Sequence, residues 1–165
     1  APEVSKAMQP YFEEHFGNPS SSHTYGKAAK EALNKAREQV AKLISAEPSE
    51  IVFTSGGSES NNSAIIGTAL ANRKKGKHII TSRIEHPSVL ETLRFLETSF
   101  RFRVTYLPVD EYGRVNPLDA AKAITNKTVL ITLMHANNGV GTIEPIEKIG
   151  RAAKEKSIIF HNDAA

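Results

Sequence analysis

Among its 165 residues the chain has no cysteine. That absence excludes disulfides, thiolate metal sites and any cysteine nucleophile within these residues. It fits a reducing compartment, the cytoplasm or an organelle with a reducing interior. Also missing is any apolar run near the roughly 20 residues that span a bilayer, so no membrane partner is expected. No signal peptide is visible. The chain opens on "APEVSKAM", without an initiator methionine, and closes on "HNDAA" directly after an apolar run, as a piece of something longer would. No repeat, low-complexity segment or internal linker appears. What remains is ordinary globular composition, 39% hydrophobic and 24% charged. The length suits one α/β domain with a real core and is short for two.

The net charge of +3 raises the question of nucleic acid. In "KAAKEALNKAREQ", however, lysine and arginine alternate with glutamate, as on a solvated helix face. Only "RKKGKH" (Arg73 to His78) is a compact basic cluster. An ordinary solvated loop accounts for it, and no nucleic-acid partner is expected.

Periodicity then organises the chain. Ala28, Ala32, Leu33, Ala36, Val40, Leu43 and Ile44 recur at helical spacing, predicting a helix over Tyr25 to Ile44. Glu50 to Thr54 reads as a short buried strand, followed by a helix over Asn62 to Lys74. "HIITS" (His78 to Ser82) is a second strand, and Pro87 to Leu96 a helix with proline in its first turn. "RVTYLPVD" is a third strand, Pro117 to Ile124 a short helix, and "TVLITLM" a fourth strand. A helix over Ile146 to Lys156 leads to a fifth strand, "SIIFHND" (Ser157 to Asp163). Strands alternating with helices of about a dozen residues predict an α/β fold, a mainly parallel sheet flanked by helices. Ligands of such sheets bind beyond the carboxyl ends of the strands.

At those ends stand "SGGSES", "SRIEHPS", "MHANNGVG" and "HNDAA", holding His86, His135 and His161, three of the six histidines. In "SGGSES", glycines at a helix start let backbone N–H groups converge on a phosphate, with Ser55, Ser58 and Ser60 as further donors. The lysine of a nucleoside-triphosphate loop and the G-x-G-x-x-G spacing of a dinucleotide fold are both missing, so a monophosphate fits better. The alternative is a helix cap with no ligand. Asp163, at the exit of an apolar strand, needs a cation or several donors to stay ionised. A protonated pyridine nitrogen would serve, and so would an internal ion pair or a helix cap. His86, one residue before a helix-starting proline, can act as general acid/base, stack on an aromatic ligand, or be plain polar surface. Asn137 and Asn138 can donate to a ligand oxygen or simply build a turn before Gly139.

Taken in order, "FGNPSSSH", "EIVFTSGGSESNN", "HIITSRIEHPSVL", "VTYLPVDEYGRV", "MHANNGVGTIEPI" and "FHNDAA" resemble the cysteine desulfurase and selenocysteine lyase family. These are class V aminotransferase-type enzymes of fold-type I that use pyridoxal 5'-phosphate. The resemblance runs over essentially the whole chain. It implies that residues 1–165 form part of the large cofactor-binding domain, with the rest of that domain and the small domain outside this chain. It implies that Gly57 and Ser58 cradle the cofactor phosphate, and that His86 stacks on the ring and is catalytic in proton transfer. It further implies that Asn138 lies near the ring hydroxyl and that Asp163 pairs with the ring nitrogen. Asn18 and Pro19 match a segment near the family's active-site mouth and are assigned no chemistry.

The implied activity is release of sulfur or selenium from L-cysteine or L-selenocysteine, leaving L-alanine. The implied partners are that amino-acid substrate, a second copy in a homodimer, and sulfur-acceptor proteins such as those of iron–sulfur cluster assembly. The family's cofactor-binding lysine, nucleophilic cysteine and ring-contacting glutamine have no counterpart here. Gly139 stands where a glutamate is usual and Asn162 where a small or β-branched residue is usual; neither change is expected to alter the chemistry. The alternatives are another enzyme of the class, an aminotransferase or cysteine-sulfinate lyase, and a non-catalytic phosphate-binding module.

Overall fold

In the computed structural model, which describes residues 1–165, the chain divides into two units, Ala1–Phe53 and Thr54–Ala165. The first is helical. Helix α1 spans Pro2–Glu13 and α2 spans Thr24–Leu43, followed by a single 3₁₀ turn at Pro48–Glu50. No element is expected before Tyr25, yet α1 forms there with Pro10 inside it. In the structure Val4, Met8 and Tyr11 recur at helical spacing, and with Ala29, Ala32 and Leu33 of α2 they line an apolar groove. Helix α2 begins one residue before the predicted start, where the His23 side chain caps it by accepting from the Gly26 N–H at 3.3 Å.

The strand expected over Glu50 to Thr54 does not form. Glu50 instead closes the 3₁₀ turn in a reciprocal cap with Glu47, and the following residues pair with no strand. The Ile51 carbonyl accepts from the Arg37 guanidinium, which also stands 5.1 Å from the centre of the Phe53 ring. A short apolar run can be satisfied by a helix as well as by a sheet, and periodicity cannot tell the two apart. The molecule therefore has four strands where five are expected.

The second unit is built on those four strands: β1 His78–Ser82, β2 Arg103–Leu107, β3 Thr128–Met134 and β4 Ile159–Asp163. All neighbours pair in parallel, in the order β2-β1-β3-β4. Helices α3 (Gly57–Asn72) and α4 (Pro87–Phe100) cover one face. There Ile65, Val89, Leu93 and Leu96 pack with Ile79 and Leu130. Helices α5 (Pro117–Ala123) and α6 (Ile146–Glu155) cover the other, where Ile149 and Ala153 meet Ile80, Ile131 and Leu133. Burial on both faces is why β1 and β3 carry adjacent apolar residues, Ile79 with Ile80 and Val129 through Ile131, rather than alternating ones. From β1 the chain crosses outward to β2, then returns past β1 to β3. That reversal opens a crevice beyond the carboxyl ends of β1 and β3, where ligands of such sheets bind.

Candidate active site

A cavity of about 340 Å³ lies at those carboxyl ends. Its wall includes Gly57 and Ser58 from the start of α3, His86 from the β1 exit, Asn138 from the β3 exit and Asp163 from the end of β4. All five residues singled out from the sequence thus meet in one place, from four separate connections. Asn61, Ser88, Met134, Ala136 and Ala165 complete the lining.

Helix α3 begins five residues before the predicted start, at Gly57 itself. Its first N–H groups have no partner within the helix, and no side chain caps them. Gly57 leaves room that another residue would fill: a Cβ there would stand 3.2 Å from the Ala165 Cβ. Of the three serines named as donors, only Ser58 lines the cavity. The Ser60 hydroxyl pairs with Thr54 Oγ1 at 2.6 Å, and both the hydroxyl and the N–H of Ser55 donate to the Glu59 carboxylate. Those bonds hold the Glu59 carboxyl below its usual range. Local turn chemistry claims two of the three serines, as hydroxyls one turn from a carboxylate readily allow.

Register places Asp163. It is paired with Met134 across β3 and β4, and its carbonyl accepts from the His135 N–H at 2.7 Å. One carboxylate oxygen accepts from Asn61 Nδ2 at 2.8 Å and the other from the Ala165 N–H at 3.2 Å. None of the chain's three ion pairs involves Asp163. The carboxylate is therefore held by two neutral donors, with accepting capacity to spare for a cation in the cavity. This donor set, with the uncapped helix start beside Gly57, fits a group carrying a phosphate at one end and a protonatable ring nitrogen at the other.

His86 is held from the same side. The Ser88 N–H donates to His86 Nδ1 at 3.1 Å, so Nδ1 is an acceptor and the proton of the neutral ring sits on Nε2. Ser88 Oγ lies 2.8 Å from the same nitrogen and accepts from Asn61 Nδ2 at 2.9 Å. Asn61, only 4% exposed, therefore bridges the His86 cap to Asp163. Sequence reasoning overlooked Asn61 and Ser88. The available signal was spacing, since Asn61 lies one helical turn after Gly57 and so on the same face.

The two asparagines separate cleanly. Asn137 is consumed by the turn: its Nδ2 donates to the Ile84 carbonyl, and its Oδ1 accepts from the N–H groups of Gly139 and Val140. Asn138 is left to face the cavity. Of the other two histidines, His135 is exposed and lies outside the lining. His161 Nδ1 is 2.8 Å from Thr132 Oγ1, and burial pushes its pKa down.

One buried acid lies beside the site unforeseen. Glu85, 4% exposed, accepts from the Ser82 hydroxyl through one oxygen, while the other has no partner. Burial, with the Asp163 and Glu144 carboxylates nearby, pushes its pKa up to about 7. Burial also raises Glu144, which accepts from the Val115 N–H at 2.9 Å.

A class V aminotransferase family profile matches residues 1–165. The chain belongs to that family. Cysteine desulfurase IscS of Clostridium botulinum strain Hall is 56% identical over 163 residues, which cover 99% of this chain and 41% of that protein. Cysteine desulfurase IscS of Methanosarcina thermophila is 57% identical over 162 residues, 98% of this chain and 40% of that one. Among solved structures, a NifS-like protein superposes with a TM-score of 0.95 at 40% identity, covering all of this chain and 46% of the other. SspA in complex with cysteine superposes with a TM-score of 0.93 at 47% identity, covering all of this chain and 47% of the other. The chain thus spans about 41% of the curated relatives' length. The family is one of fold-type I enzymes that depend on pyridoxal phosphate.

Proposed function

We propose that the protein to which these residues belong is a pyridoxal-phosphate-dependent cysteine desulfurase, converting L-cysteine to L-alanine. The sulfur would pass as a persulfide to a cysteine thiol supplied from outside these residues. Residues 1–165 would form part of its large, cofactor-binding domain. The observation carrying this reading is Asp163: a carboxylate fixed by two neutral donors, without an ion-pair partner, on a cavity also lined by an uncapped helix start. The names of the relatives favour cysteine over other amino acids, and one neighbour was solved with cysteine.

Pyridoxal phosphate, when bound, supplies an electron sink that makes the substrate's bonds at the α-carbon labile. In this reading the N–H groups of Gly57 and Ser58, with the Ser58 hydroxyl, hold the phosphate at the positive end of α3. The Asp163 carboxylate keeps a proton on the ring nitrogen, and Asn61 keeps that carboxylate aimed. Asn138 donates to the ring oxygen. His86, with Nδ1 engaged by Ser88, presents Nε2 as the group that exchanges a proton with substrate. A homodimer and sulfur-acceptor proteins belong to the same proposal, by analogy with the family.

The test uses the full-length protein, reconstituted with pyridoxal phosphate and assayed for alanine from cysteine, selenocysteine and cysteine sulfinate. Cofactor absorbance with alanine formed fastest from cysteine supports the reading. Absorbance with amino-group transfer and no sulfur release would make it an aminotransferase, and no cofactor uptake would leave a non-catalytic module. The 165 residues alone should yield no alanine above a protein-free control, since a chain without cysteine cannot carry a persulfide.

A further inference from the structure

The amino ends of the strands, opposite the cavity, hold a second concavity of about 650 Å³. It lies between the loop after α3 and the loop before β3. Six cations line it: Arg73, Lys74, Lys75, Lys77, Arg103 and Lys127, with no acidic side chain among the lining residues. All six are exposed, and none takes part in the chain's three ion pairs. They outweigh the net charge of the molecule. Of 21 lysines and arginines in the chain, the other 15 face 18 aspartates and glutamates, so without this groove the net charge would be −3 rather than +3. The basicity of this protein is a local field, not a general surface property.

The groove is also prebuilt. A Cβ on Gly76 would stand 2.1 Å from the Lys127 carbonyl oxygen, so only glycine lets the two loops touch. The His78 N–H donates to that same carbonyl at 3.0 Å. Below it the His78 ring, 1% exposed, is bonded to Thr128 Oγ1 at 2.7 Å and Thr105 Oγ1 at 2.8 Å, tying the starts of β1, β2 and β3 together. Lys77 Nζ donates to the Phe100 carbonyl at 2.9 Å. Burial and the Arg103 charge both push the His78 pKa down, so the buried ring does not add to the field. Like charges gathered on a rigid frame repel one another. That repulsion is relieved when an anion binds, and little loop ordering remains to be lost.

We propose that this groove is a docking site for an acidic polypeptide segment of a partner protein. Peptide is favoured over nucleic acid by the walls: no exposed aromatic side chain stands in the lining for bases to stack on, and Phe102 is buried beneath Lys77. Four of the six cations are lysines, point charges on flexible stems that suit scattered carboxylates better than the paired oxygens read by arginine forks.

The experiment titrates full-length protein into a fluorescein-labelled oligoglutamate peptide, with oligo(dT) and anionic phospholipid vesicles as competing probes. The wild type should bind oligoglutamate saturably, the affinity falling several-fold as ionic strength rises from about 0.05 to about 0.3 M. Lys74→Glu with Lys75→Glu should weaken it at least about tenfold. Lys30→Glu with Lys148→Glu, the same charge change at exposed sites outside the groove, should weaken it less than about twofold. Equal loss in both double variants, no saturable binding, or tighter binding of oligo(dT) or vesicles would each overturn the proposal. The groove is remote from the cavity, so K74E/K75E should keep cofactor absorbance unchanged. Failure of the desulfurase reading would show in that absorbance and not in peptide binding.

Discussion

The two ends of one parallel sheet have been put to opposite uses. At the carboxyl ends of β1, β3 and β4, the cavity lining holds one aspartate and no lysine or arginine, with small residues and fixed hydrogen bonds around it. At the amino ends of β1, β2 and β3, six cations line an open groove with no acid among them. The two central strands between are fully covered, every residue of β1 and β3 being buried. A scaffold covered on both faces leaves only its two edges free to carry polar chemistry. The carboxyl edge gathers helix N-termini and their unpaired N–H groups, and the amino edge gathers helix C-termini, where cations are favoured. The helix dipoles thus bias the edges in the directions that the side chains reinforce.

The sharpest way to break this contrast is at Asp163. In the full-length protein, Asp163→Ala should lower alanine formation from cysteine about a thousandfold, as loss of a preorganised charge at a reacting group does. A loss of less than about tenfold would mean that the carboxylate does not act on the cofactor. Next comes Glu85, whose cost builds up across a defined pH window. Below its ordinary pKa of 4.5 the carboxyl is neutral folded and unfolded, and it contributes nothing. Between 4.5 and about 7 the unfolded chain ionises while the folded one keeps the proton, so stability falls as pH rises. Above about 7 the full cost, on the order of 3 kcal/mol, remains. Glu85→Gln should flatten denaturation midpoints across that window and leave the variant more stable than wild type above it. A variant with an unchanged slope would place the titrating group elsewhere.

Gly57→Val should act at the helix start. Its Cβ already meets Ala165 at 3.2 Å, and the branch projects further, so cofactor affinity should weaken about tenfold with stability little changed. An absorbance titration reads this directly. The smallest effect is expected at the other edge. Lys74→Gln should change thermal stability by less than about 0.5 kcal/mol, because an exposed cation without an ion-pair partner contributes little to folding. A larger change, in calorimetry, would make the groove part of the fold's own support rather than a free surface.

Much of this was legible before any coordinates. Strands β1 and β3 occupy the predicted residues, because a strand buried on both faces carries adjacent apolar residues, Ile79 with Ile80 and Val129 through Ile131, instead of alternating ones. Helix α4 starts at Pro87 as expected, since proline is favoured in the first turn, where its missing N–H costs nothing. The errors fall where the sequence signal is shared by two structures. Ile51 and its neighbours were apolar enough for a strand, but the Ile51 carbonyl pairs with Arg37 and Val52 and Phe53 are exposed. Helix α1 forms with Pro10 inside it where no element was expected, and the early turns of α3 were hidden by a run of glycine and serine with weak helix propensity.

Sequence by itself determined the alternation of strand and helix, the burial of β1 and β3, and the kinds of residue at each strand exit. These depend on neighbours along the chain and on the side chain's own chemistry. Only the tertiary structure decided that Asn138 faces the cavity while Asn137 builds the turn. It also decided that Ser58 is free while Ser55 and Ser60 are engaged, that Asn61 joins Asp163 to the His86 cap, and that a glutamate beside His86 is buried with one oxygen unpaired. Each outcome depends on which partner lies across a gap of dozens of residues, as Asn61 and Asp163 do. Strand order and register, not local composition, set that distance.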